Sequence, residues 1–278
     1  MELIKTEHSH SKGKGKLDKV LLKCEEPNYY ELINLLYVSN NNQTLILLAL
    51  HERKINIVLK FGILESIQKE FQTSNKLLTL PNFIRYFCVI ICNDDIKNIV
   101  NNSKSISNYK MCHYGKNNIG ILVMKYYNLK SIENYNWNSD NFHILKNIIK
   151  QVFFAILYAH DMFGFIHNDL HCGNVLLKPK RNLEIKYNKK ILVLDELEAV
   201  IMDFEKSKFK TISNNNNNIK NLIFGLSKFI TSIEYGNNIG LNFDYDRNKL
   251  NNLKSIFNEN INYYDQIEKI LDDIVISK

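Results

Sequence analysis

With 278 residues the chain is long enough for one large domain or two small lobes, each with its own core. Apolar residues at 45% and charged residues at 23% describe an ordinary globular composition, and no apolar run of membrane-spanning length appears, which argues against a membrane partner. The formal charge of +7 comes from scattered lysines without an aromatic-interleaved basic stripe, which argues against specific nucleic-acid recognition.

The opening stretch MELIKTEHSHSKGKGKLDKV lacks the apolar core of a secretory signal, and residues 1–20 read as a flexible basic tail. Its glycine–lysine alternation is not a phosphate loop, which needs G-x-x-x-x-G-K-[ST] after a strand. Five cysteines without framework spacing read as reduced thiols of an intracellular, cytoplasmic protein. Abundant Asn, Ile, Lys and Tyr fit the codons of an A/T-rich genome, such as that of a large DNA virus or a protist.

From Tyr29 to Asn128 short runs rich in β-branched and aromatic residues dominate: ELINLLYVS, TLILLALHE, KINIVLKFG, FCVIIC and GILVMKYY. Bounded by Asn, Gly or charged turns, they predict strands. ILESIQKEFQTSNKLL interrupts them with Ile63, Ile67, Glu70 and Ser74 at helical spacing, which predicts a single helix. The second half opens with a longer helix. Leu145, Ile148, Ile149, Val152, Phe153, Ile156, Leu157 and His160 form an apolar face at period 3.6, and Gly164 ends it. Next come GFIHNDLHCGNVLL, whose end VLLK reads as a strand, then a charged hairpin-like stretch and a strand EAVIMDF. The Asn run at 214–218 reads as a loop, and the tail reads helical in IKNLIFGLSKFITSI and YYDQIEKILDDIVIS. The pattern is α+β and bilobal: a small β-rich lobe over 21–128 and a helical lobe over 129–278, with ligands expected in the cleft between them.

GFIHNDLHCGNVLL sets His167, Asn168, Asp169, His171 and Asn174 between apolar flanks, more polar chemistry than solvating a loop requires. His-x-Asp-x-His also carries the residue types of a metal cluster. The segment HNDLHCGN, followed by IMDFE, resembles the catalytic and metal-binding loops of the protein-kinase-like superfamily, H-R-D-L-x-x-x-N and then D-F-G. His167, Asp169, Leu170 and Asn174 match the first loop; Asp203 and Phe204 match the second. The resemblance implies that Asp169 orients an acceptor hydroxyl and takes its proton, while Asn174 and Asp203 hold Mg2+ against the phosphates of ATP. His167 reads as a packed support of the loop. Within KINIVLKFG, Lys60 stands where the family's third-strand lysine meets the α and β phosphates, and Glu70 fits the carboxylate that holds it. LTLPNFIRYF resembles the H-P-N-I-V stretch after that helix. ILVMKYYNLKSIENY resembles the fifth strand and hinge, with Met124 as gatekeeper and the backbone of Lys125 and Tyr127 facing adenine. The likeness covers roughly residues 30 to 230 and implies a protein-kinase-like fold with a reduced C-lobe.

Several positions depart from the pattern. VSNNNQ stands where a glycine-rich phosphate lid is expected, which implies modest nucleotide affinity. Asn168 replaces the arginine that pairs with a phosphorylated activation loop, so control by that route is not expected. His171 replaces a lysine and would donate a hydrogen bond to the γ-phosphate; Glu205 replaces the D-F-G glycine. The stretch KPKRNLEIKYNKKILVLDELEA between Asn174 and Asp203 is long and reads as an extended hairpin. Haspin-type and large-DNA-virus kinases combine D-L-H-x-G-N-V with such an insertion. No A-P-E triplet follows Asp203, so the peptide-docking platform is reduced. Three functions fit: a divergent serine/threonine protein kinase acting on a protein hydroxyl, a small-molecule kinase of choline or aminoglycoside type, and a pseudokinase that binds without transferring.

Overall fold

The computed structural model describes residues 30–38, 44–51, 55–91, 118–187, 190–210, 216–235, 242–244, 263–273 and 275–277. The basic stretch 1–20 and the turn at 39–43 lie outside them. The described chain is α+β and compatible with a kinase-like fold. It divides into two compact units: one takes in the described residues up to Lys76 and Arg85–Tyr126, the other Leu77–Ile84 and the described residues from Tyr127 onward.

In the first unit, β1 (Tyr30–Val38), β2 (Leu45–His51), β3 (Ile55–Ile63), β4 (Tyr86–Ile91) and β5 (Ile119–Lys125) form an antiparallel sheet in the order β1-β2-β3-β5-β4. Strand alternation gives it one apolar face: Leu45, Leu47, Ile57, Leu59, Phe61, Ile121 and Val123 form a buried cluster. The other face of β3 carries Val58, Lys60 and Gly62 and receives α1 (Leu64–Lys76), which buries Ile67, Glu70, Phe71 and Ser74 at the spacing of one helical face. Gly62 and Gly120 stand opposite each other in the β3–β5 ladder. A Cβ on Gly120 would lie 3.0 Å from Leu64 and 3.1 Å from Ile67, so the bare backbone there lets α1 settle on the sheet. Cys88 on β4 is disulfide-bonded, which departs from the expectation of reduced thiols throughout.

The second unit is built on α2 (Phe142–Phe163), whose apolar side chains from Ile144 to Ala159 are almost wholly buried. By length and composition Ser139–Phe163 would suffice to cross a membrane, but 67% of that window is buried inside the protein, as in a core helix. Gly164 ends α2 in the left-handed conformation at φ 67°, its N–H donating to the His160 carbonyl at 2.7 Å. No other residue fits: a Cβ there would lie 1.8 Å from the Lys210 carbonyl oxygen.

Two antiparallel ladders follow. β6 (Phe165–Ile166) pairs with β11 (Lys208–Phe209), and β7 (Val175–Pro179) pairs with β10 (Leu197–Ile201). Between β7 and β10 the chain runs out and back as β8 (Glu184–Tyr187) and β9 (Lys190–Val193), the extended hairpin read from the sequence. β10 stops at Ile201, short of the run EAVIMDF, because Asp203 turns to φ 65°. α3 (Asn216–Glu234) starts inside the asparagine run rather than after it. First-turn N–H groups need no intrahelical acceptor, so asparagine costs little there, and the apolar face from Leu222 to Ile233 drives the helix. The tail is also corrected: α4 (Tyr263–Asp272) ends early, and Val275–Ser277 forms β13, paired with β12 (Asn242–Asp244). β-branched Val275 and Ile276 suit a strand better than a helix end.

Leu77–Ile84 is fastened into this unit by Asn82, buried and left-handed at φ 66°. Its Nδ2 donates to the Ala199 carbonyl at 2.9 Å and to Gln151 Oε1 at 3.2 Å; its Oδ1 accepts from the Tyr187 hydroxyl. Gln151 Oε1 also accepts from the Ala199 N–H at 2.8 Å. Burial, with Glu198 near by, pushes the Tyr187 phenol well above its ordinary pKa, so it stays a donor.

Candidate active site

In the first unit two expected residues meet. Lys60 Nζ lies 2.8 Å from Glu70 Oε2, both buried, and the Tyr86 hydroxyl donates to the other carboxylate oxygen. β3 supplies the lysine on the face that receives α1, and α1 presents Glu70 one turn after Ile67. Taking both charges out of water is costly, so the pair is not explained by stability alone. Met124 is buried on β5 opposite Val58, and Lys125 follows it exposed at the strand end. Tyr127 is half-buried and belongs to the second unit.

In the second unit the β6–β11 and β7–β10 ladders bring two loops together, 167–174 and 202–207. The β7–β10 ladder continues one step further, with the Met202 N–H donating to the Asn174 carbonyl at 3.0 Å. Asn174 therefore faces Met202, the residue that precedes Asp203. Asn174 is buried, and its Nδ2 donates to the Asp169 carbonyl at 3.0 Å, which leaves Oδ1 as a hard oxygen donor. His171 caps the 3-10 turn Cys172–Asn174; its Nδ1 accepts from the Gly173 N–H at 3.2 Å, which puts the ring proton of the neutral form on Nε2. Asn168 takes φ 63°, a conformation asparagine tolerates, and its Nδ2 donates to the Lys206 carbonyl at 3.0 Å.

Aromatic packing holds both loops. Phe204 is fully buried, its ring centroid 5.8 Å from that of His167 and 6.1 Å from those of Phe83 and Phe165. His167 Nε2 donates to the Met202 carbonyl at 3.0 Å, and burial pushes its pKa down. This is a packed, neutral support.

Lys206 went unrecognised in the sequence. Its Nζ lies 2.8 Å from Asp169 Oδ2, joining the two loops through their side chains. Hydrogen bonding and charge from Asp169 raise its pKa, with further contributions from Asp203 and Glu205. Only its position three residues after Asp203 could have flagged it. Also unrecognised was a cavity of about 450 Å³ beside Asp169 and His171, walled by Glu133 and by Lys228, Thr231, Ser232 and Tyr235 at the end of α3 and just beyond it. Asn174 and Asp203 do not line it. Cys172 pins α3 there: its N–H donates to Ser232 Oγ at 2.8 Å, and its buried thiol, with pKa raised by burial, donates to the Ser232 carbonyl at 3.1 Å.

Among the described residues no three of His, Cys, Asp or Glu are grouped to hold a metal ion, which removes the histidine-cluster alternative there. A two-ligand set of amide and carboxylate oxygens suits magnesium, which keeps waters and substrate phosphates as its other ligands.

No family model matches the chain. A probable serine/threonine-protein kinase of Dictyostelium discoideum is 31% identical over 107 residues, 34% of this chain and 9% of that protein. The chain thus spans under a tenth of the length of the curated relative it matches. The likeness supports a kinase-like relationship, with nothing in it specific to haspin-type or viral kinases.

Proposed function

We propose that the chain is an ATP- and magnesium-dependent phosphotransferase of serine/threonine protein-kinase type, with kinase lobes over 21–128 and 129–278. The observation that carries the reading is the arrangement around Asp169: an acceptor-sized cavity beside it, and, outside that cavity's walls, Asn174 facing Met202, the residue before Asp203. In the reaction the acceptor hydroxyl oxygen bonds to the γ-phosphorus of ATP. The bond from that phosphorus to the β–γ bridging oxygen breaks, its electron pair leaves on ADP, and the hydroxyl proton passes to Asp169. Asn174 and Asp203 offer the oxygens at which magnesium would neutralise phosphate charge. Lys60, held by Glu70, would serve the α and β phosphates, and the segment from Met124 to Tyr127 the adenine. His171 would donate its Nε2 proton to a γ-phosphate oxygen.

A small hydroxyl acceptor of choline or aminoglycoside type is the second reading, favoured by the cavity volume, which lies within the range of small-molecule sites, about 300–1,000 Å³. Radiolabelled transfer from ATP to generic protein substrates, and separately to choline and aminoglycosides, distinguishes the two. Asp169→Asn is expected to lower transfer by about 10²- to 10⁴-fold while MgATP still stabilises the protein to heat. Undiminished transfer by Asp169→Asn excludes the proposed base, and stabilisation by MgATP without transfer to any acceptor favours a binding module.

A further inference from the structure

Lys206 lies in the turn that follows Phe204, and both ends of it are held by the facing loop. The Asn168 side chain, turned by a left-handed backbone, takes its carbonyl at 3.0 Å, while its own ammonium reaches back to Asp169 Oδ2 at 2.8 Å. The neighbouring Ser207 fixes the turn, its N–H and hydroxyl both donating to the Phe204 carbonyl, at 3.1 and 2.6 Å. Stability does not account for the pair. The lysine side chain is 64% exposed, and an exposed ion pair gains little against the entropy of holding a long side chain. The contact falls on the carboxylate proposed above as the base, and among the described residues no other hydrogen bond reaches that carboxylate's oxygens. His171, at the edge of the same cavity, has Nδ1 committed to Gly173 and carries no fixed charge in its neutral form.

Resting on the phosphotransfer reading, we propose that Lys206 is a positioning residue: its ammonium fixes Oδ2 of Asp169, so that Oδ1 is the oxygen presented to the acceptor hydroxyl. A carboxylate free to rotate presents either oxygen at varying angles, and proton transfer needs one of them within hydrogen-bond reach as the phosphorus–oxygen bond forms. The ammonium remains beside Asp169 after the proton arrives and offers its other N–H groups to the negative charge that gathers on the transferred group. The raised pKa of Lys206 keeps that charge in place through and above neutral pH.

The test is steady-state kinetics of the full chain with ATP, magnesium and whichever acceptor it phosphorylates. Lys206→Met is expected to lower kcat by about 10- to 100-fold with little change in the KM for ATP, because the interaction acts on the reacting group. Lys206→Arg keeps a fixed charge and hydrogen-bond donors and is expected to recover much of kcat. Lys208→Met removes an exposed charge two residues further on and is expected to match the wild type. A Lys206→Met protein with wild-type kcat, or a Lys206→Arg protein as slow as Lys206→Met, overturns the positioning role and leaves the phosphotransfer reading standing. A wild-type chain that transfers to no acceptor overturns both.

Discussion

Two lysine–carboxylate pairs of equal length sit in opposite surroundings. Lys60 and Glu70 lie 2.8 Å apart with side chains 9% and 1% exposed; Lys206 and Asp169 lie 2.8 Å apart with side chains 64% and 33% exposed. Distance alone would rate them alike. Solvent separates them. In the first pair each charge has lost its water and depends on its partner, so both are tied to the packing of α1 on the sheet. In the second, water screens both charges, and the contact governs where a carboxylate oxygen points more than how firmly the loops hold.

The largest expected effect comes from breaking the buried pair on one side. Lys60→Met leaves Glu70 as a buried carboxylate with the Tyr86 hydroxyl as a remaining donor, and is expected to destabilise the protein by about 3–5 kcal/mol in urea unfolding. Replacing the three side chains together, Lys60→Met with Glu70→Leu and Tyr86→Phe, also removes the buried carboxylate and the hydroxyl that donates to it and should regain most of that loss. A triple variant as unstable as the single one would mean that the apolar replacements pack badly, and that the cost of a lone buried charge is not the reason for the drop.

Parts of this contrast were legible in the sequence and parts were not. The apolar run in KINIVLKFG marks a strand buried on both faces, and a lysine inside it stands out beside a helix with glutamate on its inner face. Gly164 was equally legible, since an apolar period that stops at glycine is a helix end. Lys206 was not, because its meeting with Asp169 depends on two ladders folding distant loops back on each other, and no local period records that. Asn82 escaped for the same reason: its partners, Gln151, Tyr187 and Ala199, come from α2 and both strand pairs of the long hairpin. The cavity wall is assembled from the end of α3 and the loop before α2, where the sequence shows only an amphipathic helix and polar residues. The Asn run misled because composition described it as a loop, whereas the apolar face behind it extends the helix forward.

If burial sets the cost of a charge, the second unit should show it in acid. His160 and His167 both have pKa values lowered from 6.5, chiefly by burial, so the fold holds their neutral forms more tightly than the unfolded chain does. Their contribution is fully present above about pH 6.5 and is lost as the pH falls from there through the lowered folded values, because the unfolded chain takes up protons first. Thermal midpoints measured from pH 7.5 down to 5 should therefore fall, and fall less steeply in His167→Asn than in the wild type. Parallel slopes would mean that the buried ring costs nothing to protonate, and the same argument for Glu70 would weaken with it.

The smallest expected effect is also the sharpest. Lys206→Met removes the cation from an exposed pair, and unfolding free energy should change by no more than about 0.5 kcal/mol, the range for surface substitutions away from buried features. The expected loss of kcat is much larger when expressed on the same scale, since a tenfold rate change is about 1.4 kcal/mol of barrier. A residue whose removal costs the barrier more than the fold acts on the reaction and not on the structure that surrounds it. If urea unfolding instead showed Lys206→Met losing several kcal/mol, the exposed pair would be holding the two loops together. Its kinetic effect would then be a consequence of loosened loops, and the contrast between the two lysines would disappear.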